Sequence, residues 1–485
     1  MTLTLDRPAY DCPASILPRL VGAGTRVPLV TGGTAEYANL DLAASAPALE
    51  PVAAHVADVL PLLSSVHRGA GYLSQVSTAL LERARECVGE FVGARACDVV
   101  VFTRNTTDAL NLLATAVPGA VLCLDVEHHA NLLPWRSARA DGAHRTLPAA
   151  STVEETLAAL EAALRATPTA LLTVTGASNV TGEVLPLRRI AAIAHAAGAR
   201  VAVDAAQLAP HRRVDLAATG VDYVALSGHK LYAPYGAGAL IGRRDWLDAA
   251  APYLAGGGAV TQVDLEGATW APAPHRHEAG TPNVLGVAAL AQACRTLAPV
   301  LNASGLDGPG PEHERALLDR LAAGLATVPG VTPLRIWPDS PDRVAVQSFT
   351  VAGFSAGFVA AYLSAEHAIG VRDGKFCAHP LLERLCRNSG GQNSGGQSSG
   401  SPNSGGQDSG AGGDGTAVRA SIGLGTTAEH VDRLVDALRE LVTRGARWTY
   451  APVSGRWTPT PDPRDLDPLG VGAPGTTGTG CGHPG

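Results

Sequence analysis

Lysine is almost missing from this 485-residue chain: arginine carries nearly all of the basic charge, and only Lys230 and Lys375 occur. Exclusion of Lys beside abundant Ala, Gly and Pro has the look of codon bias, so a lysine that persists calls for a reason. Basic blocks are missing as well. The formal net charge of −7 is spread along the chain and gives no electrostatic footprint for nucleic acid or an anionic membrane. Hydrophobic residues make up 46% of the chain, yet Gly, Pro and charges interrupt them short of the roughly 20 a bilayer crossing needs. The eight cysteines (12, 87, 97, 123, 294, 377, 386 and 481) show neither CxxC nor Cys/His ligand spacing, which argues against a disulfide framework and a metal site. The opening MTLTLDRPAYDCPAS lacks the basic-then-apolar order of a secretory signal. The expectation is a cytoplasmic protein with free thiols and small-molecule ligands, binding neither nucleic acid nor membrane.

The length suggests two packed domains after an N-terminal segment (1–49). From about 50 to 300, short β-branched runs alternate with Ala/Leu-rich helical stretches, the pattern of an α/β domain with a mainly parallel sheet. Strands are expected at Val99–Phe102, Ala170–Val174, Val201–Val203 and Tyr223–Leu226, with helices at Asp108–Ala114, Val153–Ala166 and Leu187–Ala197. Each strand ends in polar residues, where ligands of such sheets bind. From 301 to 445 the pattern becomes that of a smaller α+β domain. It is interrupted at 388–415, where NSGGQ recurs at 388–392, 393–397 and 403–407; such a segment cannot bury a core and is expected to be disordered. The tail from 446 is rich in Pro, Gly and Thr, and after about Trp457 reads as disordered in the same way. Its Cys481-Gly-His-Pro484 reads as no metal site.

Four elements carry chemistry. In Leu226-Ser-Gly-His-Lys-Leu-Tyr-Ala-Pro-Tyr-Gly-Ala-Gly238 a rare lysine follows a strand end, a setting suited to an amine that condenses with a buried aldehyde and shuttles a proton. A solvated loop lysine is the alternative. Asp204 ends an apolar strand and needs a cationic partner, for which a protonated pyridine nitrogen would serve; otherwise it caps a helix. Gln207 stands three residues on, placed to donate to a ring hydroxyl. Asn105-Thr-Thr-Asp108 opens a helix after a strand, so its N–H groups and hydroxyls could accept a phosphate or form a plain N-cap. Glu127-His-His-Ala-Asn131 offers an imidazole for stacking, or a core histidine.

These elements occur within ANLDLAASAP (38–47), HRGAGYLS (67–74), TRNTTDALNL (103–112), EHHANLLPWR (127–136), SNVTGE (178–183), VDAAQ (203–207), SGHKLYAPYGAG (227–238), EAGTPN (278–283) and VRDGKFCAHPL (371–381). Jointly and in this order they resemble the class V aminotransferase superfamily of fold-type I pyridoxal-5′-phosphate (PLP) enzymes. They are most similar to its group II (SUF-type) cysteine desulfurases and selenocysteine lyases. The resemblance runs from about Tyr37 to Leu441 and implies a seven-stranded, mainly parallel sheet with helices on both faces. It implies a Schiff base on Lys230, Asp204 at the pyridine nitrogen, Gln207 at the ring oxygen and His128 stacked on the ring. Thr106, Thr107, Ser227 and His229 would hold the phosphate, and Thr281 would reach the phosphate of a second subunit, making a homodimer. Arg419 and Asn179 would grip the substrate carboxylate, with His67 and Arg372 also placed at the substrate.

Cys377 stands where these desulfurases carry the cysteine that takes up sulfur, and Lys375 and His379 on either side could favour its thiolate. An inert loop cysteine is the alternative; Cys386 is a weaker candidate. The chain departs from the family in having Lys375-Phe376 before the cysteine and Ser/Gly-rich sequence after it. The resemblance implies conversion of L-cysteine to L-alanine with a persulfide on Cys377 that passes to an acceptor protein. Other open readings are a C–S lyase, a selenocysteine lyase, an epimerase, or a non-catalytic PLP-fold binding protein.

Overall fold

The computed structural model describes residues 17–138, 142–303, 305, 311–390 and 415–470. Cys12, Cys481 and residues 391–414 of the Ser/Gly-rich segment therefore lie outside the described residues. Helices α1 (Glu50–Val59) and α2 (Tyr72–Phe91) precede seven strands that form one sheet. These are β1 (Asp98–Thr103), β2 (Val121–Leu124), β3 (His144–Leu147), β4 (Leu171–Thr175), β5 (Arg200–Asp204), β6 (Tyr223–Ser227) and β7 (Gly238–Arg243). Helices α3 (Thr106–Ala116), α4 (Val153–Ala166) and α5 (Leu187–Ala196) occupy crossovers, and α6 (Val284–Asn302) follows.

The spatial order is β1-β7-β6-β5-β4-β2-β3, with only β7 antiparallel to its neighbours. Strands covered on both faces read as continuous apolar runs, and alternation sorts their side chains. In β1, Val99 and Val101 join a core with Leu110 and Leu113 of α3, while Val100 and Phe102 join another with Leu81 and Val88 of α2. Each such buried side chain contributes about 1.5–3 kcal/mol. By length and composition α6 could cross a membrane, and here it packs against α1 and α2 with Leu290, Cys294 and Leu297 buried.

A second core surrounds a four-stranded antiparallel sheet of β8 (Val331–Pro333), β9 (Val346–Val351), β10 (Arg372–Gly374) and β11 (Ala417–Ser421), in the order β8-β9-β11-β10. It is covered by α7 (Glu312–Ala326), α8 (Ala356–His367) and α10 (Ala428–Arg444), while α9 (His379–Gly390) packs into the first core through Leu381, Leu382 and Leu385. Ala38 and Leu40 also belong to the second core, because Ala38-Asn39 pairs in parallel with Ile369-Gly370. The architecture is thus the α/β class expected, with a smaller α+β unit.

Two expectations are corrected. The first three residues of the Ser/Gly-rich segment, 388–390, continue α9 rather than leaving it. The tail is ordered past Trp457: β12 (Tyr450–Val453) and β13 (Arg456–Pro459) form a hairpin. Composition alone hid this, because the hairpin is held by tertiary contacts. Tyr450 and Trp457 each meet the ring of Phe358 edge-on at 5.3 Å. The fully buried carboxylate of Glu366 accepts from Arg447 N, Trp448 N and Tyr450 Oη at 3.0–3.1 Å.

Candidate active site

The site lies along the carboxyl ends of the parallel strands, joined by the start of β7. Only residues 228–237 separate β6 from β7, too few for a crossover, so β7 must return antiparallel. That turn carries Lys230, whose N–H donates to Ser227 O at 3.2 Å. A Cβ on Gly228 would fall 2.6 Å from Ala237 O, so the turn closes only with glycine there. Burial pulls the Lys230 ammonium down to about 8; Asp204 opposes this and Arg419 adds to it.

Asp204 is the last residue of β5 and is 4% exposed. Its Oδ1 accepts from Ala206 N at 3.0 Å, a turn bond rather than a helix cap. No cation among the described residues lies at ion-pair distance, and burial raises its pKa, with Lys230 acting in the other direction. Gln207 is buried beside it and donates from Nε2 to Ala43 O at 2.7 Å, which leaves its second amide hydrogen for another acceptor.

The β1–α3 junction forms a cup of donors. Asn105 caps α3 by accepting from Asp108 N, and Thr106 N approaches Ser227 Oγ at 3.4 Å. Thr106 Oγ1 is buried without a partner among the described residues, a polar atom left waiting for one. Thr107 is exposed in the first turn, and His229 is kept neutral by burial and by Lys230.

After β2 the chain turns at His128, whose Nδ1 accepts from Ala130 N at 3.0 Å. Burial, reinforced by Lys230, lowers this imidazole to about 3, so it is neutral over the whole working range. Glu127 anchors the turn from behind. Its oxygens accept from Asn131 Nδ2 at 2.6 Å and Thr175 N at 3.0 Å, and burial pushes it up to about 8.

Arg419 enters from β11. It is 3% exposed and donates to Asn179 O and Asp41 Oδ1, each at 3.0 Å, while its Nε has no partner among the described residues. Its guanidinium lies 5.2 Å over the ring of Phe376. Asn179 donates from Nδ2 to Phe376 O at 2.8 Å. Phe376 and Cys377 both adopt left-handed φ, +48° and +54°. Such conformations cost on the order of 1–3 kcal/mol each and persist where surrounding contacts enforce them. The Cys377 residue is exposed, and its charge would act on both Lys230 and Arg419. Lys375 does not turn to Cys377 but pairs with Glu383 at 3.1 Å, because α9 brings that carboxylate alongside.

Some candidates stand apart. His67 meets His275 edge-on, with ring centroids 5.3 Å apart. Thr281 is exposed at the entry to α6, and Cys386 is buried with its Sγ near Thr416 O. The sequence reading passed over Asp41 and the backbone role of Ala43. A signal existed: Asp41 is the lone acid within the apolar ANLDLAASAP stretch.

With lysine, carboxylate, imidazole and arginine gathered at the ends of a doubly covered sheet, comparison with known proteins becomes decisive. The aminotransferase class-V family model matches residues 38–434, and the chain belongs to that family. Within it, the chain is 38% identical over 341 residues to a cysteine desulfurase of Dickeya dadantii, covering 67% of this chain and 80% of that protein. A probable cysteine desulfurase 2 of Mycobacterium leprae is also 38% identical, over 66% of this chain and 78% of that one. Among solved structures, the cysteine desulfurase CsdA of Escherichia coli superposes with TM-score 0.69 at 31% identity, covering 84% of this chain and 94% of that one. The apo cysteine desulfurase of Thermococcus onnurineus gives 0.72 at 29%, covering 88% and 99%.

Proposed function

We propose that this protein is a PLP-dependent cysteine desulfurase that converts L-cysteine to L-alanine and carries the released sulfur on Cys377. The observation that carries the reading is the exposed Cys377 on a strained loop within electrostatic reach of both Lys230 and Arg419.

The residues present fit the cofactor. Thr106 Oγ1 is a buried hydroxyl without a partner among the described residues, at the N-terminus of α3, where a phosphate is favoured, with Ser227 beside it and Thr107 next in the chain. Asp204 is a buried carboxylate with no cation at ion-pair distance among the described residues, as a pyridine nitrogen would require. PLP, when bound, supplies an electron sink that allows bonds at the α- and β-carbons of an amino acid to break.

The chain's own groups do the rest. Lys230, whose ammonium form burial disfavours, would release its proton readily and exchange it at Nζ with the substrate Cα. His128 would lie against the cofactor as a neutral imidazole and would add no charge to repel a protonated pyridine. Arg419 would bind the substrate carboxylate, with Arg372 opposite it on the neighbouring strand, and Asn179 holds the loop through Phe376 O. Cys377 Sγ attacks the substrate sulfur: an S–S bond forms, and the C–S bond breaks with its electron pair left on carbon. Two protons complete alanine, so the substrate carbon is reduced as the two thiols become a persulfide. Thr281 would complete the phosphate site of a second copy in a homodimer, and an acceptor protein would take the sulfur.

Incubation with L-cysteine, L-selenocysteine or cysteine sulfinate, with alanine and sulfide or selenide quantified, tests the reading. The Cys377 peptide should gain the mass of one sulfur from L-cysteine, and Cys377→Ser should lose cysteine turnover. Full turnover by Cys377→Ser would point to a lyase or epimerase instead.

A further inference from the structure

We infer that His129 is a positioning residue for Cys377, holding the sulfur-bearing loop through its backbone and its ring at once. This inference rests on the proposed role of Cys377, but its central measurement does not.

The loop needs holding. Left-handed φ at Phe376 and Cys377 follows an open turn at Gly374, with φ +100°, and side chains adopt such conformations only where contacts impose them. The loop then runs directly into α9, preceded by Ala378, which has no side chain able to cap the first-turn N–H groups. A helix start left uncapped would fray, and fraying here would release Cys377.

His129 meets both needs from the large core. Its N–H donates to Cys377 O at 2.8 Å. Its ring Nε2 accepts from His379 N, the first N–H of α9, at 3.5 Å, and the two imidazoles lie 4.6 Å apart, edge to face. The ring therefore supplies the cap that the helix's own sequence lacks. To accept, Nε2 must be unprotonated, which places the ring proton on Nδ1; burial and the neighbouring His379 keep this imidazole neutral. Other anchors act elsewhere: Asn179 holds Phe376 O at 2.8 Å, Ala378 N donates to Lys375 O at 2.8 Å, Lys375 pairs with Glu383 at 3.1 Å, and Arg384 ties α9 to Asp125 at 3.0 Å. None of these bonds Cys377 itself or the first N–H of the helix.

The backbone bond survives any substitution other than proline, so the ring can be tested alone. In His129→Leu the His379 N–H loses its acceptor, whereas in His129→Gln the side-chain oxygen reaches about where Nε2 stood. The first measurement is hydrogen exchange of the His379 amide in the full chain, supplemented with PLP. Exchange should quicken about three- to tenfold in His129→Leu, the size of effect one ordinary hydrogen bond supports, and return towards wild type in His129→Gln. The second is turnover of L-cysteine, where kcat should fall by a similar factor in His129→Leu with KM little changed, and recover in His129→Gln. Equal exchange in all three proteins would overturn the inference. Equal defects in the two variants would do so as well, since they would reveal simple packing. If wild type itself made no alanine, the proposed reaction would fail while the exchange result still decided the clasp.

Discussion

Arg372 and Arg419 stand directly opposite each other on β10 and β11, and both reach the same carboxylate. Arg419 Nη2 lies 3.0 Å from Asp41 Oδ1, and Arg372 Nη1 lies 3.8 Å from Oδ2. Like charges across a ladder repel, so Asp41 is what allows a buried arginine here before a substrate carboxylate arrives. Asp41→Asn should destabilise the ligand-free protein by about 3 kcal/mol, the scale for breaking a buried pair. Saturating L-alanine, whose carboxylate would replace the missing charge, should raise Tm more in the variant than in wild type. Thermal melts with and without alanine measure this, and equal shifts would remove Asp41 from the account.

Thr106 offers a test in which two properties move in opposite directions. Its hydroxyl is buried and unpaired among the described residues. Thr106→Val keeps the shape and removes the unpaired group, so the PLP-free protein should be as stable as wild type or slightly more so. Affinity for PLP should fall about tenfold, the loss of one hydrogen bond to a charged group. Urea melts of the apo form and fluorescence titration with PLP measure the two arms. A loss of apo stability would show that the hydroxyl serves the fold.

The titrations of His128 and Lys230 affect apo stability at opposite ends of the pH range. His128 is lowered from 6.5 to about 3, so below 6.5 the unfolded chain takes up a proton that the folded protein refuses. Stability should therefore fall between pH 6.5 and 3, and less steeply in His128→Asn. Lys230 is lowered from 10.5 to about 8, so the folded protein sheds its proton first and stability should rise from pH 8 towards 10.5. Lys230→Met should lack that rise and should be the more stable protein at pH 7. Chemical denaturation of PLP-free protein across pH reads both slopes.

Thiol labelling should separate the described cysteines by exposure. Cys377 and Cys97 are exposed, whereas Cys123, Cys294 and Cys386 are buried, and burial pushes Cys123 up to about 12. Brief treatment of native protein with iodoacetamide should modify the first two well ahead of the other three. Peptide mass mapping gives the order, and early modification of Cys123 would contradict the buried placement of β2.

How far the site could be read beforehand depended on whether its bonds are local. Asp204 was legible because an apolar run ended in a carboxylate, and Lys230 because lysine is so scarce. The Asn105-Thr-Thr-Asp108 cup declares itself within four residues. Asp41 and Arg419 are 378 positions apart, and nothing in either neighbourhood names the other. β7 was missed since its GALIGR reads as Gly-rich turn; its place comes from pairing with β1 and β6. His67 was grouped with the substrate on motif alone, while in the folded chain its ring lies against His275.

The hairpin of β12 and β13 has a practical consequence for anyone trimming this chain. The family match stops at 434, and a boundary drawn there or at the end of α10 would look natural. It would strip the Tyr450 and Trp457 rings from Phe358 and take from the Glu366 carboxylate the donors that Arg447, Trp448 and Tyr450 supply. A shortened version cut at 445 should clump or be degraded in the host, even though every residue named in the chemistry would still be present.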